Sequence, residues 1–178
     1  MSNRYLYRLL NETDDPDVGI TSKDPDADEE VEEHVGHGSA AGYESQFIST
    51  TSNYDAVYDF AQLTYKTFIR VVKIDLEKLK MESEIEVIDL TDEDIRDEHI
   101  KFQRADRFAQ KFDEVLLVGC IPPSCIKLIY AGEKKLMPMT EPDTDSSCSE
   151  SGSDDQSYDE DECGYLCDQF GHKMVFHD

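Results

Sequence analysis

QFISTTSNYDAVYDFA, residues 46–61, runs from an apolar stretch into helical spacing through a row of small hydroxyls. SQFIS, residues 45–49, reads as a strand. Ala56, Val57, Phe60 and Ala61 then recur at helical spacing within 53–66 and turn one face to a core. Ser52 or Asn53 suits the helix N-cap, where a side-chain oxygen accepts from an otherwise orphan backbone N–H. Capping does not require Ser49, Thr50 and Thr51 as well. They read as the end of the strand, and their purpose has to be sought elsewhere in the chain.

Outward from that junction no internal repeat is found. RYLYRLL, residues 4–10, reads as a first strand whose alternation places Arg8 opposite Tyr7 and Leu9. Residues 11–27 are turn-rich and read as a loop. DADEEVEEHVGHG, residues 26–38, is a short acidic helix with a stop at Gly36 or Gly38. TFIRVVKIDL is a β-branched run of the buried-strand kind, and EIEVIDL is a shorter strand. Residues 92–112 repeat helical spacing through Ile95, His99, Phe102, Ala105, Ala109 and Phe112. DEVLLVG and CIKLIYA read as strands joined by a turn at Pro122–Pro123. Strands with interspersed helices but no βαβ alternation indicate an α+β class.

The formal charge of −24 is uneven. Residues 11–33 hold 11 acids against one Lys, and residues 138–178 hold 12 acids against one Lys. The rest of the body is close to neutral. That balance argues against a phosphate-tracking nucleic-acid surface and favours basic partners or plain solubility. Residues 1–137 are long enough to bury a core. EPDTDSSCSESGSDDQSYDEDE, residues 141–162, has too few apolar groups to offset the entropy of ordering, so 138–178 is expected to be a largely disordered acidic tail. Within it Ser147, Ser149 and Ser153 resemble acidophilic kinase sites, against the simpler reading of a solvated tail. Five cysteines without a secretory signal point to reduced thiols and an intracellular compartment, cytoplasm or nucleus, with no membrane span. Cys120 and Cys125 read as core filler. Cys163, Cys167, His172 and His177 have a spacing too short for the usual finger, so no metal is assigned.

Arg8 in an apolar strand demands an anion or a polar network, and Glu114 opens the strand EVLLVG. Neighbouring strands can bring Arg8, Ser49 and Glu114 to one cleft, or pair Arg and Glu structurally. The set resembles the Arg–Ser–Glu triad of mono-ADP-ribosyltransferases of the cholera-toxin and pertussis-toxin type. The resemblance is carried, in order, by YLYRLL, by EEHVGHG, by FISTT and by DEVLLVGCIPPSCI with its Gly-x-Ile-Pro turn, over residues 5–130. It implies an ADP-ribosyltransferase-like split β-sandwich with flanking helices, holding NAD between two small sheets. It implies Glu114, Ser49, Arg8 and His34 as the catalytic set, with Arg8, Ser49, Thr50, Thr51, Tyr54 and Tyr58 binding the dinucleotide. Glu114 would stabilise positive charge on the ribose as nicotinamide leaves. Arg8 would meet phosphate or ribose oxygens, and Ser49 would hold Glu114 in register. His34 would touch the ribose or nucleophile side, against its reading as an exposed helix-ending His. Tyr54 and Tyr58 would stack on nicotinamide, against a place in the core or rim.

Arginine-modifying members of that type carry a second Glu two residues before the catalytic one. Here the position is Phe112, and Asp113 would face the other side of a regular strand. The acceptor is therefore left open between a protein side chain and water. EVIDLTDED, residues 86–94, also resembles a SUMO-interacting motif through Val87, Ile88 and Leu90, or else is an internal strand. The competing reading of the whole is an inactive transferase-fold module that binds a basic or SUMO-like partner.

Overall fold

The computed structural model describes residues 4–38, 40 and 42–142. It holds eight strands and five α-helices among those residues. The strands are β1 (Tyr5–Leu9), β2 (Ile20–Thr21), β3 (Phe47–Thr51), β4 (Phe68–Asp75), β5 (Glu86–Asp89), β6 (Glu114–Val118), β7 (Cys120–Ile121) and β8 (Ile126–Glu133). The helices are α1 (Val31–His37), α2 (Tyr54–Leu63), α3 (Leu76–Glu82), α4 (Glu93–His99) and α5 (Gln103–Lys111). Six strands order as β5-β6-β3-β1-β4-β8 with antiparallel neighbours, and β2 and β7 pair apart from them.

The six-stranded order is nearly two sheets. β3 and β6 match over five residue pairs, and β1 and β4 over five, but β1 meets β3 only at Tyr7–Thr51. Beyond that pair the ladder stops, which is the split that the family resemblance implies. Helices cover the halves separately. α1 and α5 bury Val31, Val35, Ala105 and Ala109 against Phe47 and Leu116 of β3 and β6. α2 buries Tyr54, Val57 and Ala61 against Tyr7, Ile69 and Val71 of β1 and β4. The opposite face carries the third core cluster, in which Leu76 and Leu79 of α3 pack on Leu6, Ile48, Val72, Ile74, Val115 and Leu117.

Several elements depart from the sequence expectation. The expected helix over 92–112 is two helices, because Ile100 and Phe102 are extended, at ψ 123° each. Ile100 turns into the core, and the Glu32 carboxylate of α1 accepts from the backbone N–H groups of Lys101 and Phe102. A neighbouring element thus caps α5, a tertiary contact that local spacing does not announce. β3 ends on the hydroxyl row at Thr51 as expected, but it begins at Phe47 rather than at Ser45. α3 follows β4 directly, capped by the Asp75 side chain on Lys78 N at 3.1 Å. The loop of residues 11–27 contains β2.

Asp113 is not within a strand. It sits at φ 45° between the end of α5 and Glu114, a left-handed turn that closes the helix, and its carboxylate accepts from Asn53 Nδ2 at 3.0 Å. Cys125 is buried as expected, whereas Cys120 is exposed. Contacts with the body continue past the expected boundary at residue 137. Tyr54 donates to the Pro138 carbonyl at 3.0 Å, and Glu141 accepts from the Tyr7 hydroxyl at 2.5 Å and pairs with Lys73. The acidic tail from residue 143, with Ser147, Ser149, Ser153, Cys163, Cys167, His172 and His177, lies outside the described residues.

Candidate active site

The ladder break leaves β3 with backbone groups on its inner edge that β1 does not meet, and a buried carbonyl needs a partner. Arg8 supplies one. Its Nη1 donates to the Ser49 carbonyl at 2.7 Å, across the split. The rest of its fork faces Asp14, with Nε at 3.1 Å and Nη2 at 3.0 Å from Oδ2. Both side chains are about nine-tenths buried, so the internal partner of Arg8 is Asp14 rather than Glu114. Asp14 was hidden in a loop of many acids. Its other bond, accepted from Asn11 N at 2.9 Å, is an ordinary turn contact.

A cleft of about 780 Å³ opens at this split, within the range of small-molecule sites. Strand alternation decides which hydroxyls reach it. Ser49 and Thr51 share a face of β3 with Phe47 and, through register, with Glu114 and Leu116 of β6. Thr50 points the other way, and its Oγ1 donates to the Val115 carbonyl at 2.6 Å. Thr51 Oγ1 accepts from Asn53 N at 3.1 Å, joining the strand end to the start of α2.

Four side chains then follow one another along hydrogen bonds. Ser49 bonds the Glu114 carboxylate, Ser49 Oγ lies 2.8 Å from His34 Nε2, and His34 Nδ1 lies 2.6 Å from Ser45 Oγ. Glu114 and His34 are each 6% exposed, which settles their electrostatics. Burial pushes the Glu114 carboxyl up to about 7, opposed by the Ser49 bond, which favours its charge. Burial pulls His34 down to about 4, aided by the positive charges of Arg8 and Lys23. The imidazole is neutral at physiological pH. Glu114 Oε2 has no hydrogen-bond partner among the described residues, nor does the buried Ser22 Oγ on the β2 side of the cleft.

Arg8, Ser49, Thr51, His34 and Glu114 are thus brought together, although His34 engages both ring nitrogens with serines and is not an exposed helix-end His. Tyr54 and Tyr58 are not in the cleft; they belong to the core cluster under α2, where Tyr54 stands edge-on to Tyr7 at 5.7 Å. The aromatic wall is instead Phe60, Phe108 and Phe112, with Phe112 centred 5.2 Å from Phe60 and 4.7 Å from Phe108. Ser45 was missed, although period two back from Ser49 through Phe47 points to it. Val87, Ile88 and Leu90 of the SUMO-like stretch pack inward, with Leu90 fully buried and Ile88 8% exposed. β5 is an edge strand, but its apolar anchors already fill the domain's own core.

An α+β domain whose antiparallel sheet parts around such a cleft is of the ADP-ribosyltransferase-like fold class. It is similar to EcPltA, an ADP-ribosyltransferase subunit of the pertussis-like toxin kind, with a TM-score of 0.51 and 18% identity over 70% of this chain and 73% of that chain. The chain belongs to the family described as a domain of unknown function, DUF7587, whose profile matches residues 2–128. No curated protein matches it. Among the described residues no helix is long and apolar enough to cross a membrane.

Proposed function

We propose that this chain cleaves the bond between nicotinamide and ribose in NAD and passes ADP-ribose to a protein side chain or to water, as a mono-ADP-ribosyltransferase or NAD glycohydrolase. The observation that carries the reading is Glu114: a carboxylate at the cleft, steadied by Ser49, whose buried Oε2 has no partner among the described residues. A buried acceptor left unmatched calls for a donor, and a ribose hydroxyl is such a donor. In the reaction the carbon–nitrogen bond breaks, nicotinamide leaves with the electron pair, and the nucleophile bonds the ribose carbon as it loses its proton. Positive charge grows on the sugar meanwhile, and a fixed carboxylate in a water-poor site stabilises it strongly.

The other residues support that charge rather than react. Ser49 positions the carboxylate, Arg8 holds β3 across the split and presents positive charge to a diphosphate, and Thr51 ties the strand to α2. Thr50, Tyr54 and Tyr58 take no part in this reading, since the Thr50 hydroxyl is spent on the Val115 carbonyl and the two tyrosines do not line the cleft. Beside Glu114 the wall is aromatic through Phe112, so no carboxylate stands there to deprotonate a guanidinium.

The test is release of nicotinamide and transfer of label from NAD by the purified full chain. Glu114→Gln keeps the shape and removes the charge, and it is expected to slow release at least about a hundredfold. Equal rates for the two proteins, or a wild type that releases no nicotinamide, would remove the assignment and leave the interaction-module reading.

A further inference from the structure

We infer that Ser45 is a positioning residue: its hydroxyl donates to Nδ1 of His34 and holds the imidazole as the Nε2–H tautomer, so that every donor from Ser45 through His34 to Ser49 points at Glu114. The direction follows from counting protons. Above pH 7 Glu114 is a carboxylate that only accepts, so there the single hydroxyl proton of Ser49 goes to it. Ser49 Oγ then has only lone pairs for His34, and Nε2 at 2.8 Å must carry the ring proton. Nδ1 is left as an acceptor, and the hydroxyl 2.6 Å away is that of Ser45. A neutral ring, which the pull of burial favours, has one proton to place, so fixing Nδ1 fixes Nε2.

The surroundings keep the ring where this chain needs it. Ser45 is 3% exposed, and its carbonyl accepts from Asp24 N at 3.2 Å, which fixes its backbone. Phe47 lies against the ring at 5.2 Å between centroids. Gly38 closes the other side: a Cβ there would stand 2.6 Å from the His34 carbonyl oxygen and 3.1 Å from Nδ1. A side chain at 38 would have to displace the His34 backbone carbonyl and would press on the imidazole.

The role in the reaction rests on the transferase reading, whereas the tautomer does not, and two measurements separate them. Ring nitrogen resonances of His34 in the full chain at about pH 8 are expected to show protonated Nε2 and bare Nδ1. Ser45→Ala should lose that preference, and Ser45→Thr should restore it. In nicotinamide release, Ser45→Ala should lower kcat on the order of tenfold with KM for NAD unchanged, because Ser45 acts on Glu114 through two others. A wild-type ring protonated on Nδ1 overturns the inference, even where Ser45→Ala does not fold. So does a Ser45→Ala spectrum like that of wild type, or an altered tautomer with kcat intact. A wild type that releases no nicotinamide removes the proposed activity, and the spectrum still decides the tautomer.

Discussion

Glu114 and His34 are two titratable groups in one buried chain, shifted in opposite directions, and each leaves a mark on stability. The Glu114 carboxyl titrates near 7 when folded and near ~4.3 when unfolded. Its neutral form is the one the fold tolerates, so its contribution is fully present below the unfolded value and lost as pH rises through 7. The shift is worth roughly 4 kcal/mol. His34 runs the other way, with a folded value of about 4 below the unfolded ~6.5. Its contribution is present above ~6.5 and lost as pH falls through 4. Glu114→Gln, which cannot charge, is therefore expected to be more stable than wild type above pH 7, by up to about 4 kcal/mol, with the gap closing toward pH 4. Urea denaturation at a series of pH values reads this. A gap that does not vary with pH would mean that the carboxylate is solvated and that the site lacks the dryness the chemistry draws on.

At the scale of elements, α3 shows what local pattern leaves out. LEKLKME carries only two apolar anchors that reach the core, and its helix is one of seven residues, too short to stand alone. Leu79 is fully buried in the core cluster on the opposite face of the sheet. Leu79→Ala is expected to cost about 2–5 kcal/mol, measured by denaturant unfolding, through lost burial and the cavity left behind. A loss below about 1 kcal/mol would mean that α3 is an ornament on β4. The break between α4 and α5 has the same origin in distant contacts. Arg96 donates to the Leu90 carbonyl and to Asp106, both at 2.9 Å, holding the two helices around the extended residues that Glu32 caps.

For the whole molecule the decisive feature is that, among the described residues, the halves of the sheet share one ladder pair, Tyr7–Thr51. Arg8 and Asp14 hold the gap beyond it, so their pair is structural as well as local. Removing one member leaves the other charged and buried, a loss of about 3–5 kcal/mol, whereas replacing both by apolar groups is milder. Arg8→Met and Asp14→Leu are each expected to destabilise more than the double variant does, read by denaturant unfolding as a double-mutant cycle. Simple additivity would show that the two do not act as one brace. Nicotinamide release should fall in all three variants, because the Ser49 carbonyl loses its partner in each variant without Arg8 and its geometry in the other.

Strand and helix spacing, the α+β class, the split and the gathering of Arg8, His34, Ser49 and Glu114 could all be reasoned from residues 4–131, some by periodicity and some only by family resemblance. Periodicity works there because each strand or helix buries one face, and burial writes its period into the chain. What the sequence by itself could not decide is who partners whom. Asp14 is one acid among eleven in its stretch, Ser45 one serine beside a strand, and Tyr54 one aromatic on an amphipathic helix. Only the tertiary structure gives Asp14 to Arg8, Ser45 to His34, Tyr54 to the core and Glu32 to α5. Such pairings are set by distances of about 3 Å between groups far apart in the chain, and no local pattern carries that information.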